Sequence, residues 1–387
     1  MLTDTLKSFP TFLRGFGKNQ GLKQLESQLA AHPRIYLTAL TPLALSGYLL
    51  LLLFPLSSVL LIGQIVSSWT LQNSLSMPIA TLIQFLAGIA ALGFSLPLFN
   101  LHFKTPEGQT LDNNNIPALA KIIAELCQRY HITRIENIIL DNSADIRIIN
   151  SSKLAWPFKG KHTIIIGIQT LLCYSPAQFH AMLARRIGQA SGRDHFLLLW
   201  LNSLNKTWQQ YDTALNQASL LALPLAMLFR LYSRLLQMAS QFAHQLYELA
   251  GDRYALDVTN DQDMAELFSQ TIITENFLQT KYWPKIKELK QRTLAADYLP
   301  YTNMSKVIRN GLLPKDIQNC LKQAWHYPDA RLQQPSLLTR LHNIGYEKPR
   351  PPGRLSKSAG TQFLSKAIFT QIIEDFDSRW EKNKQSH

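Results

Sequence analysis

Ser175-Pro176-Ala-Gln-Phe-His180-Ala-Met-Leu-Ala-Arg185-Arg186-Ile-Gly-Gln189-Ala-Ser-Gly-Arg193 is the stretch whose reading decides the fold. Serine favours the cap of a helix and proline its first position, so Ser175-Pro176 reads as a helix start. The helix is expected from about Ala177 past Arg193, with the apolar Phe196 to Leu201 extending it. Residues four apart share a helix face, which places Arg185 and Gln189 together.

Working outward toward the N-terminus, three short isoleucine-rich runs precede this helix: Ile135 to Leu140, Asp145 to Asn150 and Thr163 to Gly167. Turn chemistry, Asn-Ser and Pro-Phe-Lys-Gly-Lys, separates them, so they read as strands of a small sheet. Before them, Ile116 to Tyr130 has helical spacing, with Ala118, Ile122, Ile123, Leu126 and Cys127 on one face. Further upstream the chain loses all charge between Arg34 and Lys104. Leu37 to Val66 and Met77 to Phe99 are each longer than the roughly 20 residues that cross a bilayer. With the short polar Ser67 to Ser76 between them, they read as a two-helix transmembrane hairpin over 35–103. Pro42, Pro55 and Pro97 mark kinks or ends. A cleaved leader is not expected, since the apolar run starts late and is long. Lys7, Arg14, Lys18, Lys23 and Arg34 precede the hairpin and Lys104 follows it, so the positive-inside rule puts both ends in the cytoplasm.

Toward the C-terminus, Ala218 to Phe229 is apolar but short. It reads as a core or interfacial helix, or else as a re-entrant segment or weak third span. Gln237 to Val258 is helical, as is most of the chain to about Ile344, with Pro284, Pro314 and Pro335 as breaks. Pro349, Pro351 and Pro352 start a linker, and Ser365 to Trp380 suits a terminal amphipathic helix. The expected organisation is a basic segment 1–34, the hairpin 35–103, a main domain 104–346 and a linker with tail helix 347–387. The class is α+β, mainly α.

The whole chain has 387 residues, 17% of them charged, and a net charge of +13. An average soluble domain holds about 25% charged residues. Part of the deficit lies in the charge-free hairpin, and the positive balance suits an anionic lipid surface. No aromatic-basic interleaving points to nucleic acid. Cys127, Cys173 and Cys320 are odd in number and far apart, so they make neither a disulfide framework nor a Cys-x-x-Cys metal site. Reduced thiols fit a cytoplasmic domain. Cys173, just before the helix cap, reads as a small core residue, and Lys281-Tyr-Trp-Pro-Lys285 as packing.

The Ser175–Arg193 segment resembles the active-site helix of the HtpX-like and CAAX-prenyl-protease membrane zinc metallopeptidases. There, Ser-Pro is followed by His-Glu-x-x-His, in which two histidines hold zinc and the glutamate activates water. By that resemblance Arg185 stands for the first histidine, Arg186 for the glutamate and Gln189 for the second histidine. Leu183, Ala184, Ile187 and Gly188 keep the apolar frame. Glu248-Leu-Ala-Gly251-Asp252-Arg253-Tyr254-Ala255 is similar to the family's Glu-x-x-Ala-Asp-Arg, so Glu248 takes the third ligand's place and Asp252 that of the aspartate orienting a ligand histidine. Gln334-Pro335-Ser-Leu-Leu-Thr-Arg340 is similar to His-Pro-x-x-x-x-Arg, with Gln334 for the histidine. The likeness covers roughly residues 100 to 346 and implies a zincin-like domain with a substrate-binding edge strand.

It also implies a damaged centre. Arginine has no lone pair to offer zinc, glutamine is a poor ligand, and Arg186 cannot act as a base. Zinc is therefore not expected, nor hydrolysis by the family mechanism. Glu248 and Asp252 lie one turn apart and should face Arg185 and Gln189, with a guanidinium in the metal's place as a bidentate partner of Glu248. A relocated site of His195, His244 and Glu248 is the competing arrangement; the plain reading is that His244 is an ordinary helix residue and His195 interfacial. The functions that follow are a membrane-anchored pseudopeptidase binding a peptide, a membrane-protein client or a partner, an active zinc metalloendopeptidase with an altered ligand set, and a structural subunit of a membrane complex.

Overall fold

A computed structural model describes residues 33–72, 79, 82–89, 108–132, 135–150, 162–192, 196–218, 223–292, 299–310, 312–326 and 334–382. The chain is mostly helical with one small sheet, and divides into two compact units. The first is Met1–Lys104 with Leu204–Ala243, and the second is Thr105–Ser203 with His244–His387.

Helix α1, Pro33–Gln72, has no charged residue after Arg34 and carries Pro42 and Pro55 inside it. Its Ile35–Leu53 portion is long and apolar enough to cross a membrane. Of the second apolar run, residue 79 and residues 82–89 are helical, and the remainder lies outside the described residues. So do nearly all of 1–34 and residues 73–78, while residues 67–72 of the expected polar turn Ser67–Ser76 continue the helix.

The second unit holds β1 (Gln109–Leu111), α2 (Pro117–Arg129), β2 (Ile135–Asp141), β3 (Ile146–Asn150), β4 (His162–Gly167), α3 (Ile168–Cys173) and α4 (Pro176–Ser191). The sheet order is β1-β2-β4-β3. β2 and β4 are parallel, with Ile138 opposite Ile164, and the outer pairs β1/β2 and β3/β4 are antiparallel. β4 is central, which explains its unbroken Ile164-Ile165-Ile166, all buried. β1 has only three residues, too few to show the period of a strand.

α4 begins as expected. Ser175 and Gln178 form a reciprocal capping box, and Pro176 opens the helix. It does not run on, however. Gly192 adopts φ 58°, a left-handed stop that a side chain would strain. Phe196 accordingly starts a separate helix, α5, Phe196–Ala218. α6, Leu223–Ala239, carries Pro224 near its described N-terminal end, and the helix continues past it to Ala239. A break at Ser240 separates α6 from α7, Gln241–Leu256, where a single helical segment is expected from sequence.

α8 (Asp261–Phe277) continues through a π turn, Leu278–Tyr282, into α9 (Trp283–Arg292). Then come α10 (Pro300–Asn310), α11 (Pro314–His326), α12 (Leu337–Asn343), α13 (Ala359–Phe363) and α14 (Lys366–Lys382). The tail helix belongs to the same core as the sheet. Phe363, Phe369, Ile372 and Phe376 are buried with Ile164 and Phe179. Asp377 of α14 accepts hydrogen bonds from the Tyr301 amide (2.7 Å) and the Thr302 amide (3.2 Å), so it caps α10 from a distance. The proline-rich stretch before it is tied down by Arg350 to Glu266 at 2.8 Å and by the Ala359 amide to the Tyr174 carbonyl at 2.8 Å.

Candidate functional site

α4 and α7 meet within the second unit at two glycines. A Cβ on Gly188 would lie 2.3 Å from Tyr254, and one on Gly251 would lie 2.4 Å from Gln189 Nε2. Two glycines inside helices cost stability, so their use here marks a close approach. It brings the polar residues of one helix within reach of the carboxylates of the other.

Glu248 is buried, and both of its oxygens are engaged. Arg185 donates through Nη2 to Oε2. Arg186 donates through Nη1 to Oε1 at 2.9 Å and to Oε2 at 3.3 Å. Arg185 also places Nε 2.8 Å from Asp252 Oδ1, an ion-pair contact without a hydrogen bond, since that N–H has no acceptor aligned with it. Arg185 thus bridges two carboxylates, where the sequence suggests a bidentate grip on Glu248 alone. The bidentate partner of Asp252 is Arg340, through Nε at 2.9 Å and Nη2 at 2.7 Å. Asp252 is 0% exposed. The Arg340 guanidinium also stacks 3.9 Å from the centre of the Phe268 ring.

Arg186 extends the cluster toward solvent. Its Nη2 reaches both oxygens of Asp145 at 3.1 Å, and that carboxylate is half exposed. Gln189 closes the inner side. Its Oε1 accepts from Arg186 at 3.0 Å and its Nε2 donates to the Tyr247 carbonyl at 2.9 Å. Three guanidiniums therefore face three carboxylates in one connected network. Gln334 is exposed and takes no part in the hydrogen bonds and ion pairs of this network. His244 stacks on Tyr247, ring centres 6.4 Å apart, and His195 lies outside the described residues. Cys173 is fully buried, and burial pushes its thiol up to about 12, so it packs and does not react.

The electrostatics follow from these contacts. Burial alone would raise the Glu248 carboxyl, but Arg186 and then Arg185 outweigh it and hold the group well below the usual carboxylate range. Burial and the nearby Arg340 charge lower Arg185, against the pull of Asp252 and Glu248. Burial also works against Arg186, yet Glu248 and Asp145 raise it overall. Arginine stays protonated throughout.

A zinc ion does not suit this donor set. Glu248, which the resemblance places as a third ligand, already accepts from two cations, Arg185 and Arg186, with the Gln189 carboxamide bonded to Arg186 beside it, while the His244 imidazole acts on it through its charge. Among the described residues, no three of His, Cys, Asp and Glu gather as a metal cage.

Asp145 is the member that the sequence does not reveal. Its signal is only a turn, Asp141-Asn-Ser-Ala-Asp145, and its role depends on that turn folding back against the sheet. There the Gly167 amide bonds the Asp145 carbonyl at 2.9 Å. Arg340 keeps its place in the resemblance, but its bond to Asp252 is a property of the folded chain. The chain matches no family model, no curated protein and no solved structure.

Proposed function

We propose that this chain is a membrane-anchored pseudopeptidase. It uses an HtpX-like, zincin-like scaffold, held at the cytoplasmic membrane through the apolar helices of residues 35–103, with its main domain in the cytoplasm. It binds extended peptide or membrane-protein segments and does not cleave them. The observation that carries this reading is the engagement of both Glu248 oxygens by Arg185 and Arg186. A hydrolytic zinc site needs a bare carboxylate, neutral imidazoles and an open position for water. Here fixed cations fill the space that the ion would need.

The peptide-binding part of the reading rests on β3. It is an edge strand of the sheet, and an edge strand can accept a further strand from another chain. Asp145, the residue just before β3, is held by Arg186. The ionic cluster therefore braces the start of the docking edge. The apolar Ile35–Leu53 portion of α1 supports the anchor. The structural-subunit reading finds little support in the second unit, where the exposed large apolar side chains among the described residues are Phe196, Leu299 and Leu313.

Metal analysis of the purified full chain, a casein assay with and without chelator, and a photo-crosslinker at Ile149 on β3 test the proposal together. The expected results are no stoichiometric zinc, no cleavage, and peptide captured at Ile149. Bound zinc with chelator-sensitive cleavage would restore the metalloendopeptidase. No capture at Ile149 would remove the binding role and leave a structural subunit.

A further inference from the structure

The segment between α12 and α13 is not a slack linker. Pro349, Pro351 and Pro352 fix their own φ near about −65° and hold the residues before them extended, which favours a helix of about three residues per turn without internal hydrogen bonds. Exposure follows that period. Lys348, Pro351, Arg354 and Lys357 are exposed, whereas Pro349, Pro352 and Leu355 are half-buried and Ser358 is buried. One edge of this strap therefore lies on the protein, where Leu355 packs against the core. Another edge faces solvent along its length.

The strap is held at both ends and in the middle. The Tyr346 amide bonds the Leu341 carbonyl at 2.9 Å, and the Ala359 amide bonds the Tyr174 carbonyl at 2.8 Å. Between them Arg350 pairs with Glu266 at 2.8 Å. The other cations are not neutralised in this way. Lys348 and Arg354 form no ion pair among the described residues, and Lys357 donates to the neutral Gln362 carboxamide at 2.7 Å. Glu347 is the one acidic residue from Tyr346 to Lys366, against Lys348, Arg350, Arg354, Lys357 and Lys366. At about 3.1 Å per residue, Lys348 and Arg354 stand up to about 19 Å apart, and Arg354 and Lys357 up to about 9 Å. A row of cations on a braced edge attracts anions.

The kind of anion follows from what the edge lacks. Grooves that read proline grip a Pro-x-x-Pro pair, but Pro349 and Pro352 are turned onto the chain's own core. Specific protein interfaces centre on aromatic or other buried anchors, and the exposed edge offers none beyond Pro351. Charge without an anchor suits a surface that is itself diffuse, the phospholipid headgroups of an anionic bilayer. Each Lys or Arg at such a surface strengthens partitioning about fivefold, and three together about a hundredfold. That is weak for a free protein, but sufficient for one already tethered, whose effective concentration at the surface is high.

We infer that the strap, through Lys348, Arg354 and Lys357, docks the second unit on the anionic headgroup surface of the membrane. The inference takes its tether from the proposed anchoring of α1, and adds an electrostatic contact made by the folded domain itself.

Energy transfer to lipid headgroups tests it. The full chain with Cys127→Ala, Cys173→Ala, Cys320→Ala and Ser356→Cys carries a fluorophore on the strap, beside the basic edge. It is reconstituted in vesicles of phosphatidylcholine alone or mixed with phosphatidylglycerol, each with a trace of lipid bearing an acceptor on its headgroup. Transfer should be greater with phosphatidylglycerol, and should fall to the phosphatidylcholine level in about 1 M salt, where screening leaves a range of only about 3 Å. Lys348→Glu, Arg354→Glu and Lys357→Glu together should abolish the difference without changing the melting temperature. The same reversal at Lys287, Lys306 and Lys322, exposed elsewhere on this unit, should leave most of it. Equal transfer with the two lipids overturns the inference, as does a strap reversal no different from the control reversal. Loss of the difference on adding inorganic phosphate at constant ionic strength also overturns it, in favour of a discrete phosphate site. Equal transfer together with strap-dependent binding of polyglutamate overturns it in favour of an acidic protein partner. Flotation separates the docking from the tether. A chain that floats with phosphatidylcholine vesicles keeps its anchor, whatever the strap does. One that floats only with phosphatidylglycerol, and only with the strap unreversed, removes the anchoring of α1 and supports the docking. One that floats with neither removes both.

Discussion

Arg185→Ala tests the ionic cluster at its centre. Arg185 touches both inner carboxylates, Glu248 through Nη2 and Asp252 through Nε at 2.8 Å, and its side chain is 13% exposed. Removing one partner of a buried pair costs about 3–5 kcal/mol, because the remaining charge is left without compensation. Here the loss is softened. Glu248 keeps Arg186 at 2.9 Å and Asp252 keeps Arg340 at 2.7 Å. The expected cost is therefore at or just below the lower end, about 2–3 kcal/mol. At about 2–4 °C per kcal/mol for a unit of this size, the melting temperature should fall by roughly 4–12 °C. Differential scanning calorimetry of the purified chain reads this directly. A cycle with Glu248→Ala and the double variant isolates the pair, and residues in direct contact couple by about 0.5–3 kcal/mol. An unchanged melting temperature in Arg185→Ala, or additive single effects in the cycle, would refute the claim that this guanidinium holds the two helices' charges together.

Acid should weaken the fold through Glu248. Its folded pKa is depressed, so its contribution is complete above the unfolded value of about 4.3 and is lost as pH falls toward the folded value. Urea melts below and above pH 4 should show this loss in the wild type and a flatter acid limb in Glu248→Gln; equal pH slopes would contradict it. Gly188→Ala should cost about 1–3 kcal/mol by overpacking, because the new Cβ meets the Cβ and ring of Tyr254, and chemical denaturation at neutral pH measures it. Gly251→Ala, whose Cβ meets first the amide end of the Gln189 side chain and not a ring, should cost less; the reverse order would argue against this crossing. Arg185→His, Arg186→Glu and Gln189→His introduced together should let the purified chain retain about one zinc per molecule through gel filtration, with Glu248 as third ligand. Failure to bind zinc in a folded triple variant would remove the resemblance to the zinc peptidases.

Much of this architecture was readable locally. The isoleucine runs become β2, β3 and β4 within a residue or two at each end, because a buried strand needs apolar β-branched side chains and little else. Ser175 and Gln178 announce the start of α4 by chemistry confined to one turn. Its end was less visible, because Gly192 could equally sit inside a helix until its left-handed backbone is seen. Pro224 carries the same ambiguity, since proline both stops helices and starts them. In the cluster, the facing of Arg185 and Glu248 is what the resemblance to the zinc peptidases implies, with each residue placed on its helix face by local spacing. The bridge to Asp252, the fork from Arg340 and the arm to Asp145 follow only from tertiary placement. Sequence periodicity has no term for contacts between residues 88 apart, such as Arg340 and Asp252.

The clasp of Asp377 on the first turn of α10 has a consequence for biosynthesis. The amides of Tyr301 and Thr302 find their acceptor on a helix that is translated more than seventy residues later. While the ribosome is still extending the polypeptide, that helix start must turn to water, and the cavity destined for Phe369 and Phe376 stays open. Final closure of this half of the molecule is thus deferred until synthesis has passed Asp377, leaving an interval in which chaperones would find it unfinished.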